Sequence, residues 1–120
     1  MDKLILAIED EYDIREILEF LLTDSGYKVV TFSTGEDVVN KINQIHPDLI
    51  LLDIMLGNFD GREICREIKR NAETKNIPVI MVSAHPDIEN TLVEFGADDF
   101  IPKPFDIYNL LSRVERQLAA

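Results

Sequence analysis

The sequence predicts an α/β domain: a five-stranded parallel sheet with helices packed on both faces. Three observations lead there. Five short apolar runs recur along the chain. Segments whose apolar residues follow the helical period stand between them. No internal repeat, linker or low-complexity tract interrupts the alternation. Strand and helix alternating five times specify a parallel sheet whose crossovers are right-handed.

The first run is Leu4 to Ile8, ending at Glu9-Asp10-Glu11. A helix is expected over 13–25, with Ile14, Ile17, Leu18, Leu21 and Leu22 on one face. Asp13 and Glu16 have capping-box spacing, and Gly26 supplies a C-terminal stop. Val29 to Phe32 reads as the second strand and 35–45 as the second helix, with Val38, Val39, Ile42 and Ile45 inward. Leu49 to Leu52 is four aliphatics in a row, the pattern of a strand buried on both faces, and it runs directly into Asp53. Residues 54–60 read as a loop, and a third helix is expected from Gly61 to about Asn71, with Asp60 and Glu63 at capping-box spacing. Pro78 to Val82, ending at Ser83, is the fourth strand. A fourth helix over 87–95 has only a thin stripe of Ile88, Leu92 and Phe95. Asp99 to Ile101 is the fifth strand. Pro102-Lys103-Pro104 follows, then a fifth helix capped by Asp106 and carrying Ile107, Leu110, Leu111, Val114 and Leu118.

With 120 residues the chain suits one domain with one core. Its 46% hydrophobic and 29% charged content is that of a soluble globular protein. No apolar run is long enough to span a membrane, and the N-terminus lacks signal-peptide features, so a cytoplasmic location is expected. Cys65, the single cysteine, excludes an internal disulfide and reads as a half-buried small hydrophobe. A net charge of −11 argues against direct binding to nucleic acid or to an anionic membrane. It suits a divalent cation or a partner with a basic patch.

The chemistry gathers just past the strand ends. The first strand gives Glu9 and Asp10, the third Asp53, the fourth Ser83 and the fifth Lys103. In an open parallel sheet these ends share the edge where ligands bind. Asp53 alone could be a strand cap or the partner of a nearby base. Among the others it acquires a second reading. Carboxylates ~4 Å apart repel by about 4 kcal/mol at an effective dielectric of ~20, so a cation must offset them. An all-oxygen donor set favours Mg²⁺, which keeps waters and leaves room for a phosphate oxygen. A metal, an ammonium and a hydroxyl around one carboxylate would receive the charge of a phosphoryl group in transfer, with Asp53 as nucleophile.

These residues carry a family resemblance. Glu9-Asp10, Leu51-Leu52-Asp53, Asp60-Gly61, Val82-Ser83-Ala84, Gly96-Ala97-Asp98-Asp99-Phe100 and Lys103-Pro104-Phe105 occur in order, and the chain resembles the receiver domain of response regulators along essentially its whole length. The resemblance implies the flavodoxin-like (βα)5 three-layer fold with strand order 2-1-3-4-5. It implies transfer of a phosphoryl group onto Asp53, with Mg²⁺, from a sensor histidine kinase, a phosphotransfer protein or a small phosphodonor. Asp10, Asp53 and the Met55 backbone carbonyl are then metal ligands, with Glu9 acting through water. Ser83 and Lys103 take the phosphoryl oxygens, and Phe100 is the switch aromatic of a surface formed by helix 4, strand 5 and helix 5. A downstream effector or output domain would read that surface, and no output domain is expected within 1–120. Lys103-Pro104 becomes a candidate cis peptide. Arg113 and Asp98-Asp99 match part of a face some receivers use for phosphorylation-dependent dimers.

The chain departs from the pattern where Gly57 replaces a common proline, which loosens that loop, and where Glu9 replaces a commoner Asp. Met55 and His85 flank the site and are candidates for setting phosphate lifetime: Met55 as an apolar shield, His85 as a water holder, as a hydrogen-bond partner of the phosphate, or simply as a loop residue. Phosphohydrolases with an Asp nucleophile commonly carry an acid two residues later. Met55 stands there, so turnover of external substrates is not expected. A phosphorylation-independent interaction module is the alternative reading, which loss of Asp53, Lys103 or the acidic pair would have favoured.

Overall fold

The computed structural model describes residues 2–84, 90 and 94–119. Strands β1 (Leu4–Ile8), β2 (Lys28–Phe32), β3 (Leu49–Asp53), β6 (Val79–Ser83) and β7 (Asp99–Pro102) form one sheet in the order β2-β1-β3-β6-β7. Every pairing in it is parallel. This is the flavodoxin-like order expected, since β6 and β7 are the fourth and fifth strands of the main sheet. β3 and β6 are buried at every residue, as an unbroken aliphatic run requires.

Period-two alternation divides the apolar residues between two cores. Leu6, Ile8, Ile50, Leu52, Val79 and Met81 meet helices α2 (Val38–Ile45) and α3 (Gly61–Arg70) through Val38, Ile42, Ile64, Cys65 and Ile68. Ile5, Ala7, Leu49, Leu51, Ile80, Val82 and Ile101 face the other way. They pack on α1 (Tyr12–Asp24) through Leu18 and Leu22, and on the C-terminal helix (Ile107–Ala119) through Leu110 and Val114. The sheet is thus the middle of three layers.

Local chemistry corrects several sequence expectations. The Asp13–Glu16 capping box is not made: α1 begins at Tyr12, and its N-cap Glu11 has no side-chain capping bond. α2 begins at Val38 rather than 35, because Asp37 sits in the left-handed region at φ 54° and interrupts the helical path. Residues 54–60 are more ordered than a loop. Met55–Leu56 (β4) and Phe59–Asp60 (β5) pair antiparallel across Gly57-Asn58, with Gly57 at φ 64°, the positive φ that tight hairpin turns demand. Other expectations hold. Asp60 is the N-cap of α3, accepting from Arg62 N at 2.9 Å, although Glu63 turns to Arg66 at 3.1 Å rather than closing the capping box, and Asp106 accepts from Asn109 N at 3.1 Å. The Lys103-Pro104 peptide is cis. Cys65 is fully buried, beyond the half-burial expected. Of the expected fourth helix only Asn90, Glu94 and Phe95 are described, each helical. The rest of that helix, and His85, lie outside the described residues.

Two aspartates brace the end of the sheet opposite the acidic residues. Asp48 Oδ2 accepts from Leu4 N at 2.7 Å at the start of β1. Asp98 Oδ2 accepts from Val79 N at 2.8 Å and pairs with Lys69 Nζ at 2.6 Å. The braces tie the strand starts to their neighbours.

Candidate functional site

Strand register assembles the site. Ile8 lies opposite Leu52, so the next residues, Glu9 and Asp53, arrive side by side. Ser83 ends β6 opposite Pro102, and Lys103 N donates to the Ser83 carbonyl at 3.0 Å. This brings the lysine stem to the same edge. Carboxylate oxygens of Glu9, Asp10 and Asp53 lie within 4.8 Å of one another. Glu9 and Asp53 are 1% and 5% exposed, whereas Asp10 is open to solvent.

Lys103 Nζ stands between the two buried carboxylates, 2.6 Å from Glu9 Oε1 and 2.7 Å from Asp53 Oδ2. Toward Asp53 the contact is a hydrogen bond. Toward Glu9 Oε1 it is an ion pair whose heavy-atom angles fall outside hydrogen-bond geometry, which leaves that buried oxygen without a hydrogen-bond partner among the described residues. The other Glu9 oxygen accepts from Glu11 N at 3.2 Å, and Asp53 Oδ1 accepts from Met55 N at 3.1 Å. Burial is the main force holding the Glu9 carboxyl up at about 7; Lys103 opposes it and the Asp53 charge adds to it. For Lys103 burial pulls downward, but the hydrogen bond to Asp53 and the negative charges of Asp53 and Glu9 outweigh this and raise it above its ordinary value.

Three carboxylates against one ammonium leave a net negative, all-oxygen cluster with one under-bonded buried oxygen. That donor set fits Mg²⁺. Beside it opens a cleft of about 230 Å³ lined by Asp10, Glu11, Asp53, Met55, Ser83, Ala84 and Lys103. At roughly 30 Å³ per water, this accepts a phosphoryl group with a few waters and is below the usual size of a drug-sized ligand site.

Glu9, Asp10, Asp53 and Lys103 are therefore together, and Ser83 and Met55 line the same cleft, Met55 with 68% of its surface exposed. Phe100 stands apart. It is part-buried against the α2/α3 core, with the Arg113 guanidinium 5.6 Å above its ring. The charges matched to a dimer face are engaged within the chain: Arg113 with Asp99 at 2.5 Å, and Asp98 with Lys69. Sequence reasoning gave no role to Arg15. Its Nη1 donates to the carbonyl of Glu9 at 2.8 Å and, less closely, to that of Asp10 at 3.4 Å. The only sequence signal is a basic residue one turn into an otherwise acidic helix.

A pH dependence follows from Glu9. Its folded value, about 7, lies above the ordinary 4.5, so between these values the native state holds a proton that the unfolded chain releases. This contribution to stability is complete below about 4.5 and is lost as pH rises through 7. The metal-free protein should lose on the order of 3 kcal/mol from this group between pH 4.5 and 8, and added Mg²⁺ should protect more at pH 8 than at pH 5. Thermal unfolding in EDTA and in Mg²⁺ across that range checks it; a metal-independent pH profile would contradict it.

The response regulator receiver domain profile matches residues 5–115. The receiver domain of NtrX from Brucella abortus is 36% identical, over 97% of this chain and 98% of that one, with a TM-score of 0.87. The signal receiver domain of a signal transduction histidine kinase from Syntrophus aciditrophicus is 34% identical, over 98% and 90%, with a TM-score of 0.89. Chemotaxis protein CheY4 of Vibrio cholerae is 25% identical, over 97% and 98%, with a TM-score of 0.88. Nearly the whole chain is matched in sequence and in shape alike, and it belongs to the response regulator receiver domains.

Proposed function

We propose that residues 1–120 act as one phosphoacceptor domain of a two-component system and that Asp53 takes the phosphoryl group. One observation carries the reading: a nearly buried carboxylate at the end of the central strand, 2.7 Å from an ammonium and beside two further carboxylates. A carboxylate oxygen of Asp53 attacks phosphorus, the bond to the donor's leaving group breaks, and the donor departs with that electron pair, leaving an acyl phosphate. Lys103 follows the charge onto the phosphoryl oxygens, and Ser83, lining the same cleft, offers its hydroxyl to another. Asp10, Asp53 and the Met55 carbonyl would hold Mg²⁺, with Glu9 acting through water. When bound, the ion supplies positive charge to the transferring oxygens.

The donor is a histidine kinase or phosphotransfer protein, and an effector or output domain reads the result, with Phe100 and the hydroxyl of Ser83 as switch elements. Exchange with such partners places the domain in the cytoplasm. No described helix is long and apolar enough to cross a membrane. Arg113 and Asp99 would have to exchange their contact within the chain for one across a dimer.

Incubation with acetyl phosphate and Mg²⁺ should add one phosphoryl group by intact mass, and Asp53→Asn should remove it. No adduct, or an equal adduct in both proteins, would overturn the proposal. Followed over time, the adduct should decay faster in Met55→Asn, where a polar amide replaces the apolar shield.

A further inference from the structure

The entrance to α1 lacks the usual device. Its N-cap Glu11 makes no side-chain capping bond, and the residues just before it carry two of the three clustered carboxylates. Something else must set the direction of the turn. Arg15 reaches back from the first turn of α1, and its Nη1 donates to the Glu9 carbonyl at 2.8 Å and, at 3.4 Å, to the Asp10 carbonyl. The guanidinium also lies 5.5 Å from the centre of the Tyr12 ring, within cation–π range.

We propose that Arg15 is a positioning residue for the acidic pair, clamping the peptide units whose Cα atoms aim Glu9 and Asp10. The inference rests on the phosphoacceptor reading above, because the placement that matters is that of the carboxylates toward a divalent cation. Two effects of Arg15 oppose each other. Its positive charge repels a cation, so removing charge alone would tighten metal binding. Losing the clamp would let the turn wander and weaken it. The guanidinium is part-exposed, so solvent and salt screen the charge effect. Groups that orient ligands from outside a metal site typically contribute about 10–100-fold in affinity. Orientation therefore wins.

Mn²⁺ titration followed by electron paramagnetic resonance tests this on wild type, Arg15→Lys and Arg15→Ala, with metal-free melting curves beside it. The expected order is wild type tightest, Arg15→Lys intermediate and Arg15→Ala about tenfold or more weaker, with small shifts in metal-free Tm. A residue of purely structural importance would move Tm and leave the affinity of the folded protein unchanged. Arg15→Ala that binds Mn²⁺ as tightly as wild type, or more tightly, overturns the clamp. Should Arg15→Ala fail to fold, Arg15→Lys decides, since it keeps the charge and loses the fork: wild-type affinity overturns the clamp, weaker affinity supports it. A wild type that binds no Mn²⁺ overturns the acceptor reading and the clamp with it, whereas normal wild-type binding matched by Arg15→Ala overturns the clamp alone.

Discussion

Lys103→Met will destabilise the metal-free protein by about 3–5 kcal/mol at pH 8, the usual cost of stripping one partner from a buried ion cluster. The lysine side chain is 13% exposed, and its two partners, Glu9 and Asp53, are 1% and 6% exposed at their side chains. Methionine fills much the same volume, so the loss is electrostatic rather than a cavity. Two nearly dry carboxylates then face each other, with the solvent-exposed Asp10 beside them and no cation. For a domain of this length the Tm should fall by roughly 10–20 °C. Two controls separate this cause from poor packing. At pH 5 Glu9 holds a proton, because its folded value is about 7, so the penalty should shrink. Mg²⁺ should restore part of the Tm at pH 8 by replacing the missing charge. The transfer rate from acetyl phosphate should remain about 10²–10³-fold down even with metal, as when one preorganised donor to a developing oxyanion is removed. Unchanged melting at pH 8 would mean that the ammonium does not compensate the cluster.

Gly61→Val should be the second severe change, for a reason unrelated to charge. A Cβ on Gly61 would fall on the backbone carbonyl of Asp53 and against Ile54 Cα. These are main-chain atoms of the strand that carries the candidate acceptor, and they cannot swing aside as a side-chain tip would. Gly61 N also donates to Ile54 O at 2.7 Å, so the helix start and the strand end are held in direct contact. Relief requires α3 to lift away or the Asp53 peptide to turn. Overpacking ordinarily costs about 1–3 kcal/mol, and a main-chain clash belongs at or above the upper end. Gly26→Ala is the comparison. Gly26 has φ 98° with open space around it, so only left-handed strain of about 1–2 kcal/mol applies. Urea midpoints for the two variants, with phosphoryl uptake beside them, decide the matter. A Gly61→Val protein as stable as Gly26→Ala, and taking phosphate normally, would show that the strand end is not fixed by this approach.

Much of the molecule was legible because its signals are local or periodic. Leu49 to Leu52 could hardly be anything but a central strand, and the helical stripes of α1 and the C-terminal helix were complete over three turns. Glu9, Asp10, Asp53 and Lys103 could be drawn to one edge because the strand ends of a parallel sheet share an edge whatever the loops do. What escaped depends on individual backbone choices. β4 and β5 have two residues each, too few to show alternation, although Gly57-Asn58 is itself a hairpin signal. Asp37 entering the left-handed region moved the start of α2 by three residues, and no periodicity reports a single φ. Asp13 had the composition of a cap at the wrong place. The α1 entrance is organised instead by Glu9 and Arg15, whose partners are main-chain atoms invisible in a list of side chains.

The spacing of the ion cluster along the chain has a meaning during synthesis. Lys103 meets Asp53 across 50 residues of sequence, and it arrives with β7, the last strand of the sheet to leave the ribosome. A growing chain that has already made β1 and β3 has both buried carboxylates at adjacent strand ends and no ammonium between them. Such a fragment should hold that edge less firmly than the whole domain does, because two like charges meet there without their counter-ion.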